Sequence, residues 1–286
     1  MRSSIFLNEI SVIDHSYIDD TGFLRGGSFL CSFIVTGEVD ETEKVVVDFS
    51  TIKKDIKNII DKHSRNPNEN GFDHQLWVIN GYSDYTKTQN GNDVYISTPI
   101  CKLQAPGQFV KEFNGVSYFS AEQAIADHVL TALNVNYPNI NLSVECKLSE
   151  TPVFPPFSTN FNHILFRYVH GLKDSTSMGC KNLHHGHLSY ICIEDTQHLL
   201  KIQSELQSVI FVNEQNIISQ VNDLLEIGYE IDGEGVFNAK YDTSKLKTII
   251  LKTETTIEYL LEYFIQHYDI TGKVYISEGL NKGACN

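Results

Sequence analysis

The sequence predicts an α+β fold in which one unit is used twice. Three observations carry this. The chain has 286 residues, close to two domains at roughly 150 residues each. Each half reads as strands accompanied by two helices, a layered α+β pattern. Each half also closes on the same signals. A Ser/Thr-x-Glu helix start (Ser120-Ala121-Glu122; Thr256-Ile257-Glu258) precedes a strand that ends in Ser-Glu, at Glu150 and Glu278. The Pro152–Pro156 segment divides the chain into a first unit, residues 1–152, and a second, residues 153–286.

In the first half, residues 28–39 alternate and predict a strand. Val45-Val46-Val47 opens a second strand, with Asp40 and Glu41 at the turn of a hairpin. Asp48 or Ser50 then caps a helix whose apolar face is Ile52, Ile56, Ile59 and Ile60. A polar loop, Asn66–Asn70, leads to Phe72-Asp73-His74-Gln75-Leu76-Trp77. A second helix begins near Ser120, carries Ile125, Val129, Leu130 and Leu133 on one face, and stops before Pro138. A strand over 141–148 follows. The second half predicts strands over 157–169, 187–193 and 272–277, and helices over 213–227 and 255–268. Ile217, Ile218, Val221, Leu224 and Leu225 supply the helical spacing of the first of these helices.

Composition narrows the function. Acidic residues outnumber basic ones 36 to 22, for a formal charge of −14. That balance argues against nucleic acid or an anionic membrane as partner. No apolar run approaches the ~20 residues of a membrane span. The opening Met1–Glu9 reaches an acid too early for a secretory signal, which predicts a cytoplasmic chain. Six scattered cysteines with no C-x-x-C pair predict free thiols. Cys31, Cys146 and Cys192 fall in apolar alternations, whereas Cys180 sits in a polar loop before a histidine cluster.

That cluster, Leu183-His184-His185-Gly186-His187, is the strongest chemical signal. Side chains two apart on a strand point the same way, so His185 and His187 can share a metal while His184 points away. A third ligand belongs on a neighbouring strand, and His163 is the candidate. Three neutral imidazoles leave a Zn²⁺ coordination position open, the catalytic pattern. Cys180, beside Lys181, is a fourth ligand, a nucleophile or a base.

The run Cys180-x4-His185-Gly186-His187 resembles the 6-pyruvoyl-tetrahydropterin synthase / 6-carboxytetrahydropterin synthase family. That family has a Phe-x-x-x-His strand, then Cys and His-Gly-His, a Gly-x-Val-x-Asp-Phe strand, Asp-His, Pro-Thr-x-Glu and a final Glu-Thr. The first half is similar in outline: Leu24-Arg25-Gly26-Gly27-Ser28-Phe29, Thr36-Gly37-Glu38-Val39, Val45-Val46-Val47-Asp48-Phe49, Asp73-His74, Ser120-Ala121-Glu122 and Ser149-Glu150-Thr151. A long insertion lies between residues 78 and 119. Arg25 and Gly27 stand where the first half should have ligand histidines, with Thr21 near the cysteine position and His15 as a remnant. The second half keeps cysteine and histidines but has no Asp-His pair after His187. Together the halves hold one full set.

The resemblance implies a tandem tunnelling fold (T-fold): antiparallel sheets with helices on one face, assembled into an oligomeric barrel. It implies a zinc-dependent lyase acting on 7,8-dihydroneopterin triphosphate, with no redox cofactor. It also implies a composite site: zinc on His163, His185 and His187, Cys180 as base, and Asp73 with His74 as proton relay. A strand-end glutamate would hold the pterin's 2-amino and N3–H edge. Glu278 is favoured, Glu150 is its counterpart, and Glu122 and Glu258 are further substrate contacts. Arg25, Lys44, Arg167 and Lys181 are candidate cations for the triphosphate. A 6-carboxy product would point to queuosine biosynthesis and a 6-pyruvoyl product to biopterin synthesis. The four residues between Cys180 and His185 match neither type's usual spacing. The alternatives are a zinc hydrolase and a non-catalytic pterin or purine binder.

Overall fold

The computed structural model describes residues 1–194 and 196–286. The N-terminal half begins with a long hairpin, β1 (Arg2–Ile18) and β2 (Leu24–Glu38). Helix α1 (Phe49–Asp61) follows, then β3 (Gln75–Asn80). Three short strands come next: β4 (Thr86–Asn90), β5 (Asp93–Ser97) and β6 (Cys101–Pro106). Strand β7 (Val110–Asn114), helix α2 (Ala121–Asn136) and β8 (Ser143–Ser149) complete the half. The C-terminal half repeats this order. Strands β9 (Asn162–His170) and β10 (His185–Ile193) form its hairpin, followed by α3 (Leu199–Glu205) and β11 (Ser208–Asn213). Its three intervening strands are β12 (Ile217–Val221), β13 (Leu224–Ile231) and β14 (Gly235–Asp242). Strand β15 (Thr248–Leu251), helix α4 (Ile257–Tyr268), β16 (Val274–Ser277) and β17 (Gly283–Cys285) end the chain.

The repeat extends to strand order. The first sheet runs β7-β3-β1-β2-β8 and the second β15-β11-β9-β10-β16-β17. In each, the central hairpin and its β8 or β16 neighbour are antiparallel, while the two strands on the other side run parallel to it. The sheets are therefore mixed rather than wholly antiparallel. The reason is that the crossover through α1 or α3 returns the chain to the end where the hairpin began. The helices cover one face of each sheet. Ile52, Ile56 and Ile60 of α1, with Ile125, Val129 and Leu133 of α2, are fully buried against the first sheet. Each such side chain contributes roughly 1.5–3 kcal/mol. Asp48 caps α1, accepting from Thr51 N, and Thr256 caps α4, accepting from Tyr259 N.

The two sheets meet at their uncovered faces where the hairpins approach, at Gly26 and Gly186. A Cβ on Gly26 would lie 2.0 Å from Tyr168 O, and one on Gly186 would lie 2.7 Å from Gly26 Cα. Only glycine allows this approach. The two insertions add a third, all-antiparallel sheet, β12-β13-β14-β6-β5-β4, joined across the halves where Asn238–Tyr241 pair with Gln104–Cys101. Neither main sheet closes on itself: β7 and β8 edge the first, β15 and β17 the second. Among the described residues no helix is long and apolar enough to cross a membrane.

Three expectations fail. No helix spans 213–227; that segment ends β11 and forms the β12–β13 hairpin. Val221 pairs with Leu224 around Asn222-Asp223, with Asn222 at φ 53°. The apolar spacing that mimicked a helix comes from two strands joined by a two-residue turn. Val45–Val47 is not a strand, because Asp40 ties a tight loop by accepting from Thr42 N and Glu43 N at 2.7 Å. The true partner of β2 is β1, whose alternation is broken by a register shift between Leu7 and Ser11, with Glu9 at φ 49°.

Candidate active site at the junction of the halves

Antiparallel pairing of β9 with β10 sets His170 opposite His185 and Tyr168 opposite His187. His170, not His163, therefore completes the imidazole cluster. His163 pairs with Cys192 at the far end of the hairpin, where it is exposed, stacks on Phe154 at 3.9 Å and lies 3.2 Å from Ser158 O. The chain runs back along the neighbouring strand, so the ligand must lie near the end of β9, not its beginning. A signal was present: Phe166-x-x-x-His170 matches the family's Phe-x-x-x-His strand.

His170, His185 and His187 are fully buried, and one ring nitrogen of each lies within 4.8 Å of the others. Their outer nitrogens face acceptors. His170 Nδ1 lies 3.0 Å from Thr255 O, and His185 Nδ1 lies 3.2 Å from Asn182 O. His187 Nδ1 lies 3.2 Å from Asp14 Oδ1, off the ideal hydrogen-bond line but close enough for the carboxylate to favour a proton there. Asn182 O and the Asp14 carboxylate only accept, so Nδ1 of His185 and of His187 carries the hydrogen and their Nε2 presents a lone pair. His170 Nδ1 faces both Thr255 O and Thr255 Oγ1, the latter at 2.8 Å, and that hydroxyl can donate as well as accept. His170 Nε2 and His187 Nε2 are 3.2 Å apart, and His185 Nε2 has no hydrogen-bond partner. Burial, together with the neighbouring imidazoles, pushes His170 and His185 well below the ordinary histidine range. Ring nitrogens converging at this spacing suit a metal, since two nitrogens of a tetrahedral zinc site are about 3.3 Å apart.

Cys180 stands beside this cluster, on the turn before β10, and the first half supplies what faces it. Asp73 and His74 immediately precede β3, which pairs with β1 through His15–Tyr17. His74 Nε2 lies 3.6 Å from Cys180 Sγ, and His74 Nδ1 lies 2.7 Å from Asp73 Oδ2. Asp73 Oδ1 accepts from Asp14 N at 2.8 Å, and the His74 N–H donates to Asp14 O at 2.6 Å. Burial opposes the imidazolium of His74, but Asp73 and Cys180 outweigh it and raise its pKa well above the ordinary value. Burial likewise opposes the Cys180 thiolate, yet the contact with His74 wins and lowers its pKa. The pair thus favours thiolate and imidazolium.

Besides His170, the acidic and basic groups Asp14 and Lys282 of this site escaped sequence reasoning. Asp14, buried on β1, accepts from Ser28 Oγ at 2.5 Å and supports His187. Burial works against its charge, but His187, Lys282 and His74 hold the carboxyl well below the usual range. Lys282 lies 4.0 Å from Asp14 and 3.6 Å from Glu278. Glu278 sits at the end of β16, where its charge is felt by Tyr168 and Cys180.

The other proposed glutamates are elsewhere. Glu150 pairs with Arg167 at 2.8 Å, Glu122 accepts from Leu148 N at 3.0 Å and pairs with Lys147, and Glu258 is exposed on α4. Arg25 is held by Asp19 at 2.8 Å, and Lys44 is exposed in a turn at φ 62°. Register shows why the first half offers no equivalent cluster. Tyr17, Arg25 and Gly27 occupy the positions of His170, His185 and His187. Arg167 enters from the second half and donates to Gly26 O at 3.0 Å as well as to Glu150. His15 is fully buried, stacked at 4.0 Å on Trp77 and 5.0 Å on Phe29, and burial pulls it down to about 3. Among the described residues, every cluster of three potential metal-ligand side chains includes His74 or His185. A cleft of about 420 Å³ on the shared sheet, lined by Thr88, Tyr95, Lys102, Glu226 and Lys240, lacks such a cluster.

No family model matches the chain, and comparison with curated proteins finds no relative. Among solved structures, 6-pyruvoyltetrahydropterin synthase from Plasmodium vivax aligns at 14% identity and a TM-score of 0.38, covering 52% of this chain and 96% of that one. A catalytic-residue mutant of the same protein aligns at 14% identity and TM-score 0.38, over 51% and 91% of the two chains. The Plasmodium falciparum enzyme aligns at 19% identity and TM-score 0.36, over 52% and 96%. Over about half its length, the chain is similar to these 6-pyruvoyltetrahydropterin synthase structures.

Proposed function

We propose that this chain is a zinc-dependent pterin-forming lyase with one composite active site. Its substrate would be 7,8-dihydroneopterin triphosphate and its product 6-carboxy- or 6-pyruvoyl-tetrahydropterin. What supports this most is the meeting of Cys180 with His74 at 3.6 Å, directly beside three convergent imidazoles. The two halves (residues 1–152 and 153–286) are proposed copies of one unit that have each kept a different part of the site. His170, His185 and His187 would hold zinc, with Thr255, Asn182 and Asp14 orienting their rings. When bound, zinc supplies Lewis acidity that makes hydrogens next to the side-chain hydroxyls easier to remove.

The residues of the chain do the rest. The Cys180 thiolate takes a proton from the substrate side chain as general base. Asp73 fixes Nδ1 of His74, so Nε2 faces the site to deliver or receive protons. Glu278 offers two carboxylate oxygens to the pterin's paired N–H donors. For the 6-pyruvoyl product, triphosphate leaves with the electrons of its C–O bond while hydrogens shift within the remaining molecule. For the 6-carboxy product, water is also added and the two terminal side-chain carbons leave as acetaldehyde, so neither route requires an oxidant. Assembly with further copies would cover the open sheet edges.

The test is incubation of the zinc-loaded protein with dihydroneopterin triphosphate, following triphosphate release and identifying the pterin by mass spectrometry. Cys180→Ala should abolish turnover. Persistent hydrolysis in that variant would instead favour a metal-bound water as nucleophile. Absence of stoichiometric zinc together with tight pterin binding would leave only a binder.

A further inference from the structure

Asn182 touches both parts of the composite site yet belongs to neither the metal set nor the relay. It is fully buried and follows the turn that carries Cys180. Its Nδ2 donates to His74 O at 2.8 Å, across the junction between the halves. Its Oδ1 accepts from His184 N at 3.0 Å. Its main-chain oxygen faces His185 Nδ1 at 3.2 Å, and its own N–H donates to Gly179 O at 3.0 Å. The amide orientation is determined by its partners, because a carbonyl needs a donor and an N–H needs an acceptor.

His74 is the residue that requires this support. Its φ is 57°, in the left-handed region that side-chain-bearing residues rarely adopt. Such a conformation persists only where the surroundings over-determine it. The His74 N–H is held by Asp14 O of its own half, and its carbonyl by Asn182 of the other. The side chain then projects onto Cys180 from a backbone clamped on both sides. Gly179 completes the fit: a Cβ there would lie 2.9 Å from His74 Cβ.

We propose that Asn182 is a positioning residue that sets the relay histidine against the cysteine by clamping the left-handed backbone of His74. The proposal rests on His74 and Cys180 acting as a pair, as in the function proposed above, but not on the identity of the substrate. It is therefore tested on the thiol, by the rate at which iodoacetamide alkylates Cys180 at neutral pH, in a background where Cys285 is replaced by serine. Removing the amide should misplace His74 and lower thiolate character, slowing alkylation about tenfold. Asn182→Ala should show this with zinc content unchanged. Asn182→Asp keeps the acceptor for His184 N but cannot donate to His74 O, and should slow alkylation similarly if the alanine variant does not fold. In a His74→Ala background, neither Asn182 substitution should slow alkylation further. The same slowing there, or unchanged alkylation in both single variants, would overturn the proposal. Alkylation coupling without pterin turnover would leave Asn182's role intact and remove the lyase reading instead.

Discussion

The third imidazole is the point at which structure and sequence pattern differ, and metal binding decides between them. His185 Nε2 is buried without a hydrogen-bond partner, beside His170 Nε2 and His187 Nε2 at 3.2 Å from each other. An unsatisfied buried polar group costs about 1–3 kcal/mol, so zinc should stabilise the fold as well as load the site. At free zinc about 1,000-fold above Kd, the stabilisation is about 4.1 kcal/mol. At about 2 °C per kcal/mol for a chain of this size, Tm should rise roughly 8 °C. His170→Ala removes one of three ligands. Outer-shell partners alone are worth about 10–100-fold in affinity, so loss of a ligand should cost at least about 100-fold. At the same free zinc the stabilisation then falls to about 1.4 kcal/mol, or roughly 3 °C. His163→Ala should leave the full shift. The assay is thermal unfolding at buffered free zinc and after chelation, with metal content measured on each variant. Loss of the shift in His163→Ala and its retention in His170→Ala would refute the assignment.

Other outcomes follow from the same geometry. His15→Phe should flatten the acid side of the stability profile. His15 is held neutral down to about 3 in the folded state, while the unfolded residue takes its proton near 6.5. The folded state therefore loses about 1.4 kcal/mol per pH unit from this group as pH falls between those values, a slope that urea titrations across that window would show disappearing. Glu278→Gln should weaken pterin binding by isothermal calorimetry while Glu150→Gln does not, because Glu278 is close enough for its charge to act on Cys180 whereas Glu150 is held by Arg167 away from that cluster. Gly26→Ala should destabilise the chain by about 1–3 kcal/mol or more, because its Cβ would enter Tyr168 O; an unchanged urea midpoint would show that the hairpins do not meet there.

The parts legible in the sequence are those governed by short-range rules. Capping and 3.6-residue periodicity located α1, α2 and α4 within a residue or two, since Asp48, Ser120 and Thr256 all flank helix starts. The pairing of His185 with His187 followed from strand alternation alone. The failures needed register, which is a long-range quantity. The choice of His170 over His163 depends on where β9 starts relative to β10. The false helix at 213–227 arose because Val221 and Leu224, neighbours across a hairpin turn, also fit helical spacing. Asp14 and Lys282 carry no motif, and only the approach of the two hairpins brings them to the site.

On the proposed reading, the different residues kept by the two halves commit the chain to one site. Were both clusters intact, the pseudo-symmetric junction would hold two buried cationic sites and two relays within a single chain. In the first half Gly27 leaves no side chain at the position corresponding to His187, and His15 Nε2 lies where a Cβ on that glycine would be, at 2.7 Å. Arg167 brings a fixed positive charge there from the second half, neutralised by Glu150 rather than by a substrate. Aromatic rings fill the remaining space, with Tyr17 stacked on Tyr118 at 4.5 Å. A metal placed there would have to displace a guanidinium and break a partly buried ion pair. At the composite site the polar groups face one another: Asp14 at His187, Asp73 at His74 and His74 at Cys180. Because Asp73 and His74 come from one half and the imidazoles from the other, neither half is expected to bind and react alone. Docking of the hairpins at Gly26 and Gly186 is therefore part of building the site.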